Sequence, residues 1–340
     1  MKAIEIQQYG SAEKAFSLVE KPDLNAKADE VIIAVEGFGL NFADVMARKG
    51  LYAEAPKPPF VPGYDVVGKV IRVGNQKNNH WINKRVVAMT RFGGYATQVR
   101  AKEVAIAAID ENMPLAVGLT LATQYVTAFY ALEELVKFKP GDKVLIHSGA
   151  GGVGLALIAL AKHKKLTIIA TAGSDEKVAL LQEQGVTAIN YNTSDYKEVI
   201  ERKFGKKALK ATFNALGGKS FKKDMSLLHA GGTVMLYGAA TRTNDGKGIL
   251  PTLKLLWQFG IVIPIGLMMR SISINGINML KIADHDAGYI QDMLQQVITL
   301  VEAKKITPFE GETFPISQLN EAHSKLENRQ SAGKLGVRWK

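Results

Sequence analysis

The stretch 143–165, KVLIHSGAGGVGLALIALAKHKK, constrains this chain more than any other. Its apolar run Val144-Leu145-Ile146 suits a buried strand, and Leu155, Leu157, Ile158, Leu160 and Ala161 suit a buried helix. Between them lies a loop of small residues, His147-Ser148-Gly149-Ala150-Gly151-Gly152-Val153-Gly154. In that setting a glycine motif reads as a phosphate cradle. Glycine lets the backbone turn tightly and approach a pyrophosphate with no Cβ in the way. The helix N-terminus then offers free N–H groups and the positive end of its dipole. Gly149, Gly151 or Gly152, and Gly154 form a compressed dinucleotide fingerprint, and a glycine turn also serves close helix–strand contact alone, so the string needs support from its surroundings.

The next strand, 166–171, should carry at its end the group that reads the adenosine ribose. An NAD site usually places Asp or Glu there, to accept from the 2′-hydroxyl. Here Ala172-Gly173-Ser174 follows, with Lys177 one turn on. Without a carboxylate there is no repulsion against a 2′-phosphate, and a hydroxyl and an ammonium supply a hydrogen bond and a charge-assisted contact. The pattern predicts NADP(H) rather than NAD(H). Ser174 also fits a helix N-cap before Asp175 and Glu176, a role compatible with phosphate binding, and Lys177 also fits a solvated helix face.

With 340 residues, 47% of them hydrophobic, the chain can build two ordinary domains. It has no cysteine, which excludes disulfides, thiolate zinc ligands and a cysteine nucleophile. The start, MKAIEIQQYG, reads as a short strand and not as a signal peptide, and a cytoplasmic protein is expected. The net charge of +11 is spread over scattered lysines without the aromatic interleaving of an RNA-binding motif. No nucleic-acid partner is expected; a basic field would gather an anionic cofactor.

Residues 1–122 read as β-rich, with apolar runs at 30–35, 65–73, 85–89 and 98–100 divided by glycines, prolines and Asn/Lys loops. Residues 123–265 alternate strands (143–148, 166–171, 187–190, 209–213, 232–237) with helices (152–164, 175–184, 195–203, 219–229), as a parallel sheet requires. An alternating strand, SISINGINM, follows Arg270. A helix with Ile290, Met293, Leu294, Val297 and Val301 on one face comes next, then a short helix near 317–327 and a last strand at 334–339. The apolar stretch 249–269 is long enough to span a membrane, but Pro251, Lys254, Gln258, Gly260, Pro264 and Gly266 interrupt it. A wall or lid near a substrate cleft or a subunit contact is the expectation, with peripheral membrane contact as the alternative.

Several motifs then line up in order: Gly39-Leu40-Asn41-Phe42-Ala43-Asp44, Gly50-Leu51-Tyr52, Pro59 to Gly68 (PFVPGYDVVG), Gly93-Gly94-Tyr95-Ala96, Val126-Thr127-Ala128, Pro140-Gly141-Asp142, the glycine loop, Thr171-Ala172-Gly173-Ser174, Ile189-Asn190-Tyr191, Ala215-Leu216-Gly217-Gly218 and Gly333-Lys334. Over essentially its whole length the chain resembles the zinc-independent medium-chain dehydrogenases/reductases of the quinone oxidoreductase type. The apolar insert before SISINGINML makes it most similar to their vesicle-amine-transport-protein-like branch. The resemblance implies an α/β protein with a GroES-like β-rich catalytic domain (1–122 and 266–340) and an inserted Rossmann domain with a doubly wound parallel sheet (123–265). In zinc-dependent relatives a Cys stands where this chain has Asn41 and a His-Glu pair where it has Tyr64-Asp65. A second, structural zinc needs four closely spaced cysteines. The six histidines are dispersed, so no metal is expected.

The implied activity is NADPH-dependent hydride transfer to a quinone or an activated alkene or enone, since neither needs a Lewis acid. A different class of reading is an NADPH-binding protein at a membrane or partner, with little or no turnover. By resemblance Asn41, Tyr52 and Tyr64 are the catalytic candidates, Asn41 near the nicotinamide ribose or substrate and the tyrosines beside the ring, with Tyr52 as donor to a substrate oxygen. Asn41 and Thr127 would hold the nicotinamide half. Ser148, Ala150, Gly151, Gly152 and Val153 would line the pyrophosphate, and Gly173, Ser174, Lys177 and Tyr191 the 2′-phosphate. Relatives often carry Arg where this chain has Asn192. Leu216, Gly217, Gly238 and Ala239 would lie by adenine and nicotinamide. Lys334 is a cofactor candidate or a strand-end surface lysine, and His147 fits a structural residue at a strand end. A small hydrophobic carbonyl or quinone substrate and a homodimer paired through the SISINGINM edge complete the expectation.

Overall fold

The computed structural model describes residues 1–239 and 249–339. Contacts divide the chain into two units, Met1–Val126 with Leu280–Lys340, and Thr127–Met279. In the second unit all strands are parallel and lie in the order Thr187–Asn190, Thr167–Ala172, Lys143–Ile146, Leu209–Asn214, Leu228–Leu236, Ser273–Gly276. This is the doubly wound Rossmann order, which starts at a middle strand and works outward twice. Val144, Leu145 and Ile146 are all fully buried, as a strand covered on both faces must be. The helices between the strands are Gly152–His163, Asp175–Glu183, Tyr196–Phe204 and Lys219–Leu227. Two start at side-chain caps, Ser174 accepting from the Lys177 N–H and Asp195 from the Lys197 N–H.

The expected domain boundary at 265/266 gives way to one at Met279, because Thr233–Leu236 pairs in register with Ser273–Gly276 and adds a sixth strand to the Rossmann sheet. Alternation in SISINGINM marks a strand; it carries no information on which sheet that strand joins. The other expected boundary, at 122/123, falls inside a run of helical turns from Leu115 to Glu134, where composition does not change.

The first unit is built on the long strand Glu30–Leu40. Its first half pairs with Gln98–Lys102 and its second half with Leu335–Arg338, while Asp65–Val73 runs along the opposite edge. Arg85–Met89, Ile106–Ala108 and Glu312–Pro315 extend the sheet. Two register shifts, at Ile32/Ile33 and Val35/Gly37, mark bulges that twist the long strand as it passes from one partner to the other. Val31, Ile33, Phe38, Val66, Val70, Val86, Tyr95 and Val337 fill the core, with the Phe38 and Tyr95 rings stacked at 4.1 Å. Helix Ala287–Glu302 buries Ile290, Met293, Leu294 and Val297 as its periodicity predicts, with Ile298 in place of Val301.

The apolar stretch 249–269 forms two short helices, Ile249–Phe259 and Pro264–Arg270. Gly260, at φ +73°, and Pro264 at the start of the second helix account for the break. Each is far shorter than the roughly 20 residues a membrane-spanning helix needs. Phe259 and Leu267 pack onto the Rossmann core. Leu253, Leu256, Trp257, Ile261, Ile263, Ile265, Met268 and Met269 face outward, Ile261 at 93% exposure.

Candidate functional site

In the Rossmann unit the loop after Lys143–Ile146 is drawn tight by its own backbone. His147 donates its N–H to Phe213 O at 3.0 Å, Gly149 to Thr171 O at 2.9 Å and Gly151 to Ser148 O at 2.9 Å. Ser148 takes up a left-handed turn at φ +53°. A Cβ on Gly154 would fall 2.4 Å from Ser148 O, so the helix can begin this close to the loop only with glycine there. Because the Gly151 amide is committed to Ser148, Gly152 and Val153 in the first helical turn are left to face an anion. Ala150 is buried under the loop, whereas Ser148, Gly152 and Val153 are half-buried.

At the end of Thr167–Ala172 no carboxylate intrudes. A Cβ on Gly173 would sit 2.4 Å from the Tyr191 hydroxyl, which shows how closely that ring lies over the turn. Ser174 caps the following helix through the Lys177 amide, and Lys177 is half-buried one turn on. Asn192 donates to Gly173 O at 2.8 Å, so its side chain closes the turn. Asp175, the nearest acid in sequence, accepts from Asn190 at 2.7 Å. Gly173 thus lies against Tyr191, and Ser174 caps the turn that carries Lys177. Gly217 lies 3.5 Å from Gly238 and Ala239 by its would-be Cβ, so these later strand ends also meet. The Leu216 and Gly217 amides both donate to Asn214 Oδ1, at 2.9 and 2.8 Å. Thr127 is half-buried in the helical turn Val126–Phe129.

Beneath these loops lies a network that sequence reasoning missed. The fully buried His147 meets Thr171 Oγ1 at 3.1 Å through Nδ1 and Asp224 Oδ1 at 2.9 Å through Nε2. Asp224 also accepts from the Tyr196 hydroxyl at 2.9 Å and the Asn214 amide at 2.6 Å. Asn214 therefore joins the glycine loop to the 216–217 turn. His147 has the structural role its strand-end position suggested. Asp224, in the lysine-rich run KSFKKDMSL, has no sequence signal that separates it from a solvated helix residue.

In the first unit Asn41 begins helix Phe42–Arg48 and its N–H donates to Asp44 Oδ2 at 2.8 Å. Its side chain belongs to a cluster with the buried Asp65 and Lys334 and the half-buried Thr123. Lys334 is 2% exposed, which overturns the surface-lysine alternative. Its Nζ lies 2.8 Å from Asn41 Oδ1, 3.1 Å from Thr123 Oγ1 and 2.9 Å from Asp65 Oδ2. Tyr52 and Tyr64 meet edge to face at 6.2 Å, and Tyr64 lies 5.1 Å from Phe92. The Tyr64 hydroxyl is buried without a hydrogen-bond partner among the described residues. Burial pushes the ionisation of both tyrosines up, with the carboxylates of Glu54 and Asp44 adding to it, so at neutral pH they are hydrogen-bond donors and not proton reservoirs.

The donor set does not fit a zinc ion. At the positions where the resemblance puts a thiolate and a carboxylate ligand there are the Asn41 amide and the Asp65 carboxylate, with the Lys334 ammonium already against their oxygens. Among the described residues no three His, Cys, Asp or Glu side chains are grouped as a metal site.

Residues 27–128 match the family model of the alcohol dehydrogenase GroES-like domain, and residues 152–301 that of the zinc-binding dehydrogenases. The chain is 30% identical over 337 residues to the synaptic vesicle membrane protein VAT-1 homolog of Danio rerio, covering 98% of this chain and 69% of that protein. It is 28% identical over 308 residues to the quinone oxidoreductase-like protein 2 of Bos taurus, covering 90% and 84%. The solved structure of a mycobacterial protein complexed with NADPH superposes with a TM-score of 0.85 at 25% identity, over 99% of both chains.

Proposed function

Because the chain belongs to the quinone oxidoreductase-type medium-chain dehydrogenases/reductases, we propose that it is an NADPH-dependent, metal-independent reductase of quinones or activated alkenes. The observation that carries this reading is the turn at 172–177. It offers a capped helix start, Ser174, Lys177 and the Tyr191 ring, and has no carboxylate where an NAD site would place one. The half-buried first turn of Gly152–His163 suits a pyrophosphate. A relative of the same fold binds NADPH.

NADPH supplies the hydride. The chain supplies positions: Gly152 and Val153 amides for the pyrophosphate, Ser174 and Lys177 for the 2′-phosphate, Thr127 for the nicotinamide half. Hydride addition to an enone β-carbon or a quinone moves an electron pair onto a conjugated carbonyl oxygen. Tyr52 serves that oxygen as hydrogen-bond donor, and a solvent proton completes the product. A half-buried tyrosine with its ionisation pushed up stays neutral through this step.

The test is absorbance of reduced nicotinamide in the presence of a panel of quinones and enones, with NADPH and NADH compared. Turnover with a clear NADPH preference is expected; equal affinity for the two cofactors would refute the 2′-phosphate argument. The homodimer belongs to this reading, because Ser273–Gly276 is the last strand of its sheet, and light scattering checks it.

A second reading rests on the outward apolar face of 253–269. If this face lies on a lipid surface, flotation with anionic liposomes will depend on Leu256, Trp257 and Ile261, and their replacement by serine will abolish it. Tight NADPH binding with no turnover would then favour a membrane-associated cofactor-binding protein.

A further inference from the structure

Strand register brings a cation against Asn41 and Asp65, the positions where, by the resemblance, zinc-dependent relatives carry a Cys and a Glu. Leu335 pairs with Leu40 and Val66 with Phe38, so the residues just beyond these pairs, Lys334, Asn41 and Asp65, converge at three strand ends. Gly39 leaves them room: a Cβ there would fall 2.0 Å from Asp65 Oδ2 and 2.2 Å from Lys334 Cε. An ammonium has three hydrogens and no lone pair. Here one faces Asn41 Oδ1 at 2.8 Å, one Thr123 Oγ1 at 3.1 Å, and one the Asp65 carboxylate, 3.0 Å from Oδ1 and 2.9 Å from Oδ2. Asn41 is fixed in turn. Its Nδ2 donates to Asp65 Oδ1 at 2.5 Å, while its Oδ1 accepts from Lys334 and from Thr123, the latter at 3.1 Å. A flipped amide would set NH2 against the ammonium and oxygen against the carboxylate, unfavourable on both sides. One Nδ2 hydrogen of Asn41 is left outside the cluster.

We propose that Lys334 is a positioning residue, an internal cation that replaces the metal by neutralising Asp65 and holding Asn41 with one amide hydrogen presented for the nicotinamide ribose or substrate. With every hydrogen engaged, Lys334 donates no proton in the reaction and is no phosphate ligand. The part Asn41 plays in turnover rests on the reductase reading above; the clamp on its amide does not.

Lys334→Met alone strands a buried carboxylate and is expected to destabilise the fold. The double variant Lys334→Met/Asp65→Asn removes both charges at nearly constant volume. It is expected to melt close to wild type, with kcat on the best quinone about 10- to 100-fold lower, because Asn41 is no longer held. Lys334→Ala should regain kcat with added ethylammonium and not with ethanol. A stable double variant with wild-type kcat, or equal rescue by ethanol, would overturn the proposal. A readout free of turnover uses 1H–15N spectra of the wild type. The Lys334 ammonium is expected to show slow hydrogen exchange, and the Asn41 side-chain amide to shift in the double variant. An ammonium exchanging like a surface lysine refutes the clamp. If wild type reduces none of the acceptors, the reductase reading fails while these spectra still decide the clamp.

Discussion

Replacing Asp44 with asparagine should flatten the pH dependence of stability between about pH 4 and pH 8. Asp44 is fully buried, with Oδ2 accepting from the Asn41 N–H at 2.8 Å and Oδ1 from the Gly63 N–H at 3.2 Å. Burial pushes its carboxyl from the ordinary 3.8 up to about 7; the nearby Asp65 carboxylate adds to the rise, while the two N–H groups and the Lys334 ammonium oppose it. Between those values the folded chain holds a proton that the unfolded chain has released. Stability from this group is therefore complete below the unfolded value and is lost as pH rises through about 7. A rise from 3.8 to about 7, at about 1.36 kcal/mol for each pH unit, corresponds to about 4 kcal/mol. His323 acts in the opposite sense. Burial holds it well below 6.5, so its stability is present above 6.5 and falls away in acid. It is common to both proteins and cancels in their difference. The assay is urea denaturation of wild type and Asp44→Asn across that pH range. Wild type should lose about 4 kcal/mol relative to the variant between the two ends. A constant offset, such as the new NH2 meeting the Gly63 N–H, does not alter the slope. Parallel curves over the whole range would refute the reasoning.

Gly39→Ala should cost at least about 1–3 kcal/mol, read as a lowered urea midpoint, because its Cβ would overlap the Asp65–Lys334 pair. Gly154→Ala should weaken NADPH binding in a fluorescence titration, since the added methyl meets Ser148 O and pushes the helix start away from the loop. Lys177→Ala should weaken NADPH about 10- to 100-fold and leave NADH unchanged, the size expected for one hydrogen bond to a charged group. Asp224→Ala should lower the melting temperature and NADPH affinity together. It leaves the Tyr196 hydroxyl and an Asn214 hydrogen without their buried acceptor, at about 1–3 kcal/mol for each group left unpaired.

The elements and the glycine loop follow from local sequence alone. Apolar runs, glycine positions and caps such as Ser174 act within a turn or two of chain, so their consequences can be read where they stand. The Rossmann alternation, the helix at 287–302 and the Ser174 cap were legible for that reason. Tertiary structure decided what depends on register and on which face is covered. Strand Ser273–Gly276 joins the Rossmann sheet by pairing with Thr233–Leu236, a partner that its own alternation does not specify. Lys334 reaches Asn41, 293 residues away, because Leu335 pairs with Leu40. Asp224 reaches His147 because helix Lys219–Leu227 turns that one residue of a charged run inward. Hydropathy alone could not tell that the apolar face of 253–269 turns outward. A residue type carries its chemistry in the sequence, but its partner, its charge balance and its access to water are set by segments far away along the chain.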